Sequence, residues 1–136
     1  MNYKNIFDKD KFQQILTNLI ENSAKYSTQI SKTLITTGIN NNNVEIKISN
    51  IGIAIAQEDY EKIFTKFARI DNPLTRKVQG SGLGLYITKS LVEKMSGKIF
   101  VNSEPLENNP ELAQITFTLN FPILNIEEQA RIKCNQ

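Results

Sequence analysis

The sequence lacks histidine altogether, has no tryptophan, and contains one cysteine, Cys134, among its 136 residues. Without histidine the chain offers no zinc site of the histidine type, no Ser-His-Asp hydrolase centre and no phosphohistidine of its own. One cysteine cannot form an internal disulfide, which fits a reducing compartment.

Long apolar runs and a strong charge of one sign are also missing. No run approaches the roughly 20 residues that span a bilayer, and the start, MNYKNIFDKDKF, has no signal-peptide core. We therefore expect a cytoplasmic domain without membrane contact. The net charge of +2 is too small to indicate nucleic-acid binding. With 40% hydrophobic and 22% charged residues, the chain can bury a core as one domain.

An amphipathic helix is predicted near the start, from about Asp10 to Tyr26, with Asp8 or Asp10 as its cap. Its apolar face has helical spacing and consists of Phe12, Ile15, Leu16, Leu19 and Ile20. The next segment, QISKTLITTGINNNNVEIKIS, predicts a hairpin around the polar run Gly38–Asn43. AQEDYEKIFTKF predicts a short helix, and a loop is expected from Ala68 to Gly82.

The second half predicts another long helix and two more strands. The helix carries an apolar residue every four positions and should end at Gly97; the residues are Leu83, Ile87, Leu91 and Met95. Strands are predicted at Lys98–Ser103 and Gln114–Phe121. This order indicates an α+β fold, a two-layer α/β sandwich whose mainly antiparallel mixed sheet has its helices on one face. We expect one domain over 1–122 and a tail or linker over 123–136.

A polar stripe on the first helix is one candidate site. Asn18, Asn22 and Lys25 fall within about 60° of one another on a helical wheel. Amide oxygens suit a hard cation, and the lysine supplies a charge for phosphate. A solvated helix face explains the same residues, so the stripe by itself leaves both interpretations open.

The segment SNIGIAIAQED is a second candidate. Asn50 ends the predicted strand, where its amide could read an adenine edge. Gly52 allows a tight turn or a close approach of the backbone to a ligand. A strand that leads into a turn is the simpler interpretation of this segment.

A glycine-rich loop, VQGSGLGLYITKSLVEKM, is the third candidate. Gly80, Gly82 and Gly84 precede or open a helix, so free backbone N–H groups and the helix dipole favour phosphate. Cations outnumber acids between residues 62 and 79. No strand runs into the loop and no G-K-[ST] follows, which excludes the dinucleotide-binding fingerprint and the Walker A loop. Phosphate binding is therefore preferred over a plain glycine-rich cap.

In this order the segments resemble the catalytic ATP-binding domain of sensor histidine kinases, a branch of the GHKL ATPases. NLIENSAKYS resembles the family's asparagine box, IFTKFARID its phenylalanine box and GSGLGL its second glycine box. NIGIAI is a poor match to the first glycine box, DxGxGI. The resemblance covers about Asp8 to Pro122 and implies the GHKL fold with ATP and Mg²⁺ as cofactors.

The resemblance implies roles at the phosphate end of the nucleotide. Asn22 would bind Mg²⁺, and Asn18 would support the metal or contact phosphate. Lys25 would contact the phosphates, and Arg69 would meet the γ-phosphate when the acceptor domain docks. Asn18 stands where related ATPases that hydrolyse ATP have a glutamate base, and an amide cannot take a proton. The domain should therefore hold ATP rather than hydrolyse it.

Roles at the base and the lid follow from the same resemblance. Tyr26 would pack on adenine, Asn50 would accept the adenine amino hydrogen, and Gly52 would let the backbone approach the base. Phe64 and Phe67 would anchor a lid that carries further cations and the phosphate-cradling glycine loop. The remaining implied nucleotide contacts are Ala54, Arg76, Lys77, Gly80, Ser81, Gly82, Leu83, Gly84 and Leu85.

Three departures from the family pattern stand out. Asn50 replaces an aspartate, which loses a charge-assisted bond of about 1–2 kcal/mol. Ala54 replaces the second glycine of its box and would be strained if the backbone there needs a positive φ. Little sequence precedes the asparagine box, so we expect a domain truncated at its N-terminal edge.

The sequence thus predicts the catalytic domain of a two-component sensor histidine kinase, holding Mg-ATP for transfer to a histidine outside this chain. Expected partners are the dimerisation and histidine-phosphotransfer segment of a parent kinase, which can itself be membrane-anchored, and a downstream response regulator. Two alternatives stay open: a degenerate nucleotide-binding or docking module, and a serine kinase of the anti-sigma type. The phenylalanine box with Arg69 favours the histidine kinase branch.

Overall fold

The computed structural model describes residues 8–27, 32–68 and 82–123. Within these ranges two α-helices, two 3-10 turns and four strands follow the predicted order. The helices are α1, Lys9–Tyr26, and α2, Gly84–Lys94. The 3-10 turns are Gln57–Asp59 and Lys62–Phe64, and the strands are β1, Leu34–Asn40, β2, Asn43–Ile53, β3, Lys98–Pro105, and β4, Leu112–Pro122.

The four strands form one sheet in the order β1-β2-β4-β3, and every pair of neighbours is antiparallel. Side chains alternate between the faces, so that β2 and β4 bury every second residue. α1 contacts β2, α2 contacts β3, and the two helices contact each other on that buried face. The predicted two-layer α/β sandwich with helices on one face is therefore confirmed.

The core lies between the helices and the inner strands. Its largest fully buried side chains come from α1, α2, β2 and β4 and include Phe117, Ile15, Leu19, Ile48, Leu119 and Val92. The edge strand β1 is exposed along its whole length. The packed core is therefore built by α1, α2, β2, β4 and β3.

The turn of the first hairpin is shorter than the sequence predicted. β1 continues through Gly38 to Asn40, which pairs with Asn43 across a two-residue turn. Asn41 and Asn42 occupy that turn with φ values of 50° and 61°. Asparagine tolerates this left-handed backbone better than most residues, so the asparagine run locates the turn.

The ends of the helices are set by different devices. Asp8 caps α1 by accepting hydrogen bonds from the backbone N–H groups of Asp10 and Lys11, at 2.9 and 3.1 Å. The Lys11 N–H in particular lowers the pKa of the Asp8 carboxyl. α2 ends at Lys94 with Met95 as its C-cap, and Ser96 then takes the left-handed conformation with φ 61°, directly before Gly97, which was predicted to stop the helix.

Gly97 has a capping role and a packing role: its backbone N–H donates to the carbonyl oxygen of Val92 at 2.9 Å, just beyond the last residue of α2. A Cβ at this position would lie 2.6 Å from the ring of Phe121 and 2.8 Å from the carbonyl oxygen of Asn120. Only glycine lets the chain enter β3 this close to β4. Gly97 therefore lies in the C-terminal cap of α2, as predicted, and the packing against Phe121 explains why the residue is glycine.

The short helix predicted from AQEDYEKIFTKF is absent, and two 3-10 turns occupy its place. The hydroxyl of Tyr60 accepts a hydrogen bond of 2.7 Å from the backbone N–H of Ser103 on β3. Ile63 and Phe64 are buried in the core. These separate anchors fix each turn, and so short a segment gains little from helix formation on its own.

Two further sequence predictions lie outside the described ranges. The loop predicted from Ala68 to Gly82 is described only at its two ends, and the tail predicted over 123–136 only at Ile123. Within the described parts of the chain, neither α-helix is long and apolar enough to cross a membrane.

Candidate functional site

A mostly apolar inner cavity of about 80 Å³ opens between α1, β2 and β4. Its polar lining comes from α1 and β2, and its apolar walls come from β2, β4 and the described segments before residue 69 and after residue 81. The lining residues are Asn22, Ser23, Tyr26, Asn50, Gly52, Ile53, Ile55, Ile63, Ala68, Leu85, Ile115 and Phe117. Such a cavity suits a flat, largely apolar group that carries a few polar atoms.

The polar end of the inner cavity is formed by Asn50 and Ser23. Asn50 is 6% exposed, and its Nδ2 donates at 3.5 Å to the carbonyl oxygens of Ser23 and Ile51. Ser23 is 2% exposed, and its Oγ has no hydrogen-bond partner within the described residues. Asn50 was predicted at the end of its strand, but β2 continues to Ile53. Its side chain lines the cavity beside a hydroxyl that the sequence analysis did not single out.

Gly52 lies in the cavity wall, but its closest neighbour is the end of α1. A Cβ on Gly52 would lie 2.5 Å from the carbonyl oxygen of Tyr26 and 3.3 Å from Asn50 Nδ2. An isolated bridge between Ser27 and Gly52 joins the same two segments. Because Gly52 has no side chain, the last turn of α1 can lie directly against β2. This contact sets the position of Tyr26 in the cavity.

A more polar outer cleft of about 310 Å³ adjoins the inner cavity. Asn18, Asn22 and Lys25 all line it, so the structure brings the predicted helical stripe together on one wall. The opposite wall is the start of α2, with Gly82, Leu83 and Gly84. The other lining residues are Gln14, Glu21, Tyr26, Ile63, Ala68, Leu85 and Ile87.

Ile87 belongs to the four-residue apolar repeat that predicted the second helix, and it lines the outer cleft. It is 37% exposed, whereas Thr88 and Val92 are fully buried. The core face of α2 therefore lies about one residue, or about 100° on a helix, away from Ile87. Of the same repeat, Leu91 packs partly buried on the core and Met95 is buried in it.

A backbone hydrogen bond joins Phe67 to Gly82. The backbone N–H of Phe67 donates to the carbonyl oxygen of Gly82 at 2.9 Å. Both residues have positive φ, 60° and 73°, and a Cβ on Gly82 would lie 2.8 Å from the Cα of Phe67. The phenylalanine box and the second glycine box therefore touch through their backbones.

The two phenylalanines of the phenylalanine box have different environments. Phe64 is buried and makes an edge-to-face contact with Phe117, with ring centroids 6.3 Å apart. Phe67 is 68% exposed, so its backbone rather than its ring makes the contact to Gly82. Both had been predicted as anchors, and Phe64 is the one whose ring packs in the core.

The start of α2 forms part of the wall of the outer cleft. Leu83 precedes the helix without a side-chain cap, and Gly84 is its first residue, with open space where a Cβ would stand. Thr88 Oγ1 donates to the carbonyl oxygen of Gly84 at 2.8 Å, which tightens the first turn. An uncapped helix start beside polar side chains is suited to an anion.

Ala54 lines neither cavity and packs partly buried against the core. It is not among the residues with positive φ, so the strain expected from replacing the family's glycine is absent. Its backbone N–H donates to the carbonyl oxygen of Glu111 at 2.9 Å. Next to it, Ile55 is held by a hydrogen bond of 2.9 Å from its N–H to Ser103 Oγ.

Several lining residues escaped the sequence analysis because they lie far apart in sequence. Ile115 and Phe117 enter the cavity because β4 pairs with β2, opposite Asn50 and Ile48. Alternation along β4 was the available signal, but it needed the register. Of the predicted residues, five fall outside the described ranges: Arg69, Arg76, Lys77, Gly80 and Ser81.

The polar groups in the outer cleft fit a Mg²⁺ ion that is shared with phosphates. Asn18 and Asn22 offer amide oxygens there, and Glu21 adds a carboxylate. Mg²⁺ usually keeps several waters and takes one or two protein oxygens together with substrate phosphates. The described residues hold no cluster of three acidic, cysteine or histidine side chains.

Comparison with known proteins gives consistent results. The family described as histidine kinase-, DNA gyrase B-, and HSP90-like ATPases matches residues 7–123. The sensor protein SrrB of Staphylococcus aureus is 38% identical over 98 residues, which are 72% of this chain and 17% of that protein. This chain therefore spans about a sixth of the length of these relatives.

Solved structures of sensor kinases have the same fold. The mycobacterial sensor histidine kinase MprB matches with a TM-score of 0.72 and 26% identity, over 88% of this chain and 78% of that one. Full-length ShkA, solved in complex with AMPPNP, matches with a TM-score of 0.66 and 25% identity, over 86% of this chain and 23% of that one.

Proposed function

We propose that this chain holds Mg-ATP for phosphoryl transfer to a histidine outside it. The chain belongs to the histidine kinase-, DNA gyrase B- and HSP90-like ATPase family and is an ATP-binding catalytic domain of the sensor histidine kinase type. The chain itself has no histidine to accept the phosphoryl group. The acceptor is therefore assigned to another segment of a longer protein.

The observation that carries this proposal is the junction of the two cavities. The inner cavity is mainly apolar and the outer cleft is polar, and they share Asn22, Tyr26, Ile63, Ala68 and Leu85. ATP has the same division, since a flat base is joined to a charged phosphate chain. We place adenine in the inner cavity and the phosphates in the outer cleft, between Lys25 and the start of α2.

Each wall of the site has its own task in this arrangement. Asn50 Oδ1 accepts from the adenine amino group, and Tyr26 packs on the base. Asn22, supported by Asn18, holds Mg²⁺, which neutralises charge on the phosphates. The backbone N–H groups from Gly82 to Leu85 bind phosphate oxygens. Arg69, which lies outside the described ranges, is assigned to the γ-phosphate from its position in the sequence.

Transfer requires partners that this chain does not contain. We propose a dimerisation and histidine-phosphotransfer segment of a parent sensor kinase as the phosphoryl acceptor and a response regulator downstream. SrrB is named a sensor protein and MprB a sensor histidine kinase, which supports this assignment. The proposal places the domain in the cytoplasm, where ATP is available. The AMPPNP in the ShkA structure supports ATP as the ligand.

Isothermal titration calorimetry with ATP tests the binding step. We expect the chain to bind ATP with a clear gain in affinity when Mg²⁺ is present. ADP should bind as well, because the base and most phosphate contacts remain. If ATP does not bind at millimolar concentration with Mg²⁺, the nucleotide-binding proposal is wrong.

A phosphotransfer assay tests the enzymatic step separately. The chain is mixed with radiolabelled ATP and a purified histidine-bearing helical segment of its parent kinase. We expect acid-labile, base-stable label on that segment and none on this chain. ATP binding without any transfer would support a docking or storage module, and label on serine would support a serine kinase.

A further inference from the structure

The hydroxyl of Ser23 is buried, and it makes no hydrogen bond that would offset the loss of its contact with water. Ser23 lies on α1 directly after Asn22, is 2% exposed and lines the inner cavity. Its Oγ has no hydrogen-bond partner anywhere in the described parts of the chain. Buried hydroxyls are almost always paired, because losing water without replacement costs folding free energy. A ligand in the cavity is the partner that this geometry leaves available.

The neighbouring amide has a defined orientation. Asn50 Nδ2 donates to the carbonyl oxygens of Ser23 and Ile51, each at 3.5 Å. These contacts use the donor end of the amide, so Oδ1 is the end available to accept from a ligand. Turning the amide over would place Oδ1 against two carbonyl oxygens. The cavity therefore offers an oriented acceptor and, on the adjacent residue of α1, a hydroxyl that is free to rotate.

This pair of groups matches one edge of a 6-aminopurine. Adenine presents an amino donor beside the ring-nitrogen acceptor N1, whereas guanine presents a carbonyl acceptor beside an N–H donor. We propose that Ser23 Oγ donates a hydrogen bond to N1 while Asn50 Oδ1 accepts from the amino group, so that Ser23 is a specificity-determining residue of the nucleotide site. The inference rests on the proposed ATP binding and adds a second base-reading group to it.

Comparison of two nucleotides tests the contact directly. The Ser23→Ala variant and the original chain are titrated with ATP and with 1-deaza-ATP, in which a C–H group replaces N1. We expect Ser23→Ala to weaken ATP binding by about fivefold. 1-deaza-ATP should bind both proteins equally and more weakly than ATP binds the original chain. An unchanged ATP affinity in the variant, or an equal loss for both nucleotides, would overturn the proposal.

The stability of the nucleotide-free protein gives an independent readout. Because Ser23→Ala removes an unpaired buried hydroxyl, the melting temperature without nucleotide should rise. Ser49→Ala is the matched control, since it breaks the Ser49–Thr116 hydrogen bond of 2.9 Å and lines neither cavity. That control should lower the melting temperature and leave ATP affinity unchanged. A lower melting temperature for Ser23→Ala would mean that the hydroxyl is already paired, and the inference would fail.

The outcomes separate this inference from the function on which it rests. If the original chain binds no ATP, the nucleotide-binding proposal and the Ser23 contact fail together. If it binds ATP and Ser23→Ala binds equally well, only the Ser23 contact fails. Selective loss of ATP binding, together with a raised melting temperature, supports both.

Discussion

The inner cavity and the outer cleft share residues but differ in the interactions that they offer a ligand. The inner cavity is walled by Ile53, Ile55, Ile115 and Phe117, and its polar groups, Asn50 and Ser23, are almost completely buried. The outer cleft is larger and more polar, and its cation Lys25 is exposed. One region can discriminate through a few desolvated hydrogen bonds, whereas the other attracts charge in contact with solvent.

The difference indicates which region controls specificity and which controls affinity for charge. In the inner cavity a wrong base would leave Asn50 or Ser23 unpaired, and an unpaired buried group is costly. In the outer cleft water and salt can replace a lost contact. Substitutions in the two regions should therefore differ in their dependence on the base, on Mg²⁺ and on ionic strength.

The largest effect is expected at Asn22, which lines both regions. Asn22→Ala should lower ATP affinity in the presence of Mg²⁺ by about a hundredfold, because the metal loses its protein ligand. Without Mg²⁺ the affinity should change little. Calorimetry with and without Mg²⁺ measures both, and circular dichroism checks the fold. Gln13→Ala, on an exposed part of α1 outside both cavities, is the control. Equal affinities for Asn22→Ala and the original chain would remove Asn22 from the metal site.

The next largest effect should come from Gly52, where the wall of the inner cavity meets α1. In Gly52→Ala the new Cβ would lie 2.5 Å from the carbonyl oxygen of Tyr26. We expect a loss of about 1–3 kcal/mol in the free energy of unfolding, with weaker ATP binding as Tyr26 moves. Gly38→Ala is the control, since nothing lies within 4 Å of its new Cβ. If urea unfolding gives the two variants the same free energy of unfolding, the close approach of Gly52 to the end of α1 is contradicted.

The features that the sequence predicted best are those that depend on the spacing of nearby residues along the chain. Asn18, Asn22 and Lys25 lie on one helix, and helical periodicity alone placed them on one wall of the cleft. The two long helices and the hairpins were also found, because each carries its own periodic pattern. The mixed character expected for the sheet does not extend to the described strands, which are all antiparallel.

The features that could not be predicted depend on contacts between segments that lie far apart in the sequence. Ser23 is an inconspicuous serine until β2 brings Asn50 against it. Gly97 caps α2 through its N–H, but only the position of Phe121 on β4 explains why a side chain is excluded there. The predicted short helix became two 3-10 turns because Tyr60 is tied to β3. Register and packing, rather than local propensity, decide these features.

Asn50→Asp should strengthen ATP binding in the inner cavity and lower the stability of the nucleotide-free protein. A carboxylate would accept the adenine amino hydrogen with charge, so ATP affinity should rise by about five- to thirtyfold. The same change puts an oxygen where Nδ2 now lies, 3.5 Å from two carbonyl oxygens, so stability without nucleotide should fall. Titration with ATP and GTP, together with thermal unfolding, separates the effects. An equal gain for both nucleotides would mean that position 50 does not read the base.

The smallest expected effect lies at Lys25, and its salt dependence tests the contrast between the two regions. Lys25→Ala should weaken ATP binding by about three- to tenfold at low ionic strength, because an exposed cation near the phosphates is lost. At about 0.5 M salt most of that difference should vanish, since charges are screened over a few ångströms. The loss caused by Ser23→Ala should persist at the same salt concentration, because a buried hydrogen bond is hardly screened. Lys9→Ala, at the far end of α1 and outside the cleft, is the control for general charge. A Lys25 effect that does not change with salt would place this side chain in a desolvated contact with the nucleotide, and the division into a buried reading site and a solvated phosphate cleft would then be wrong.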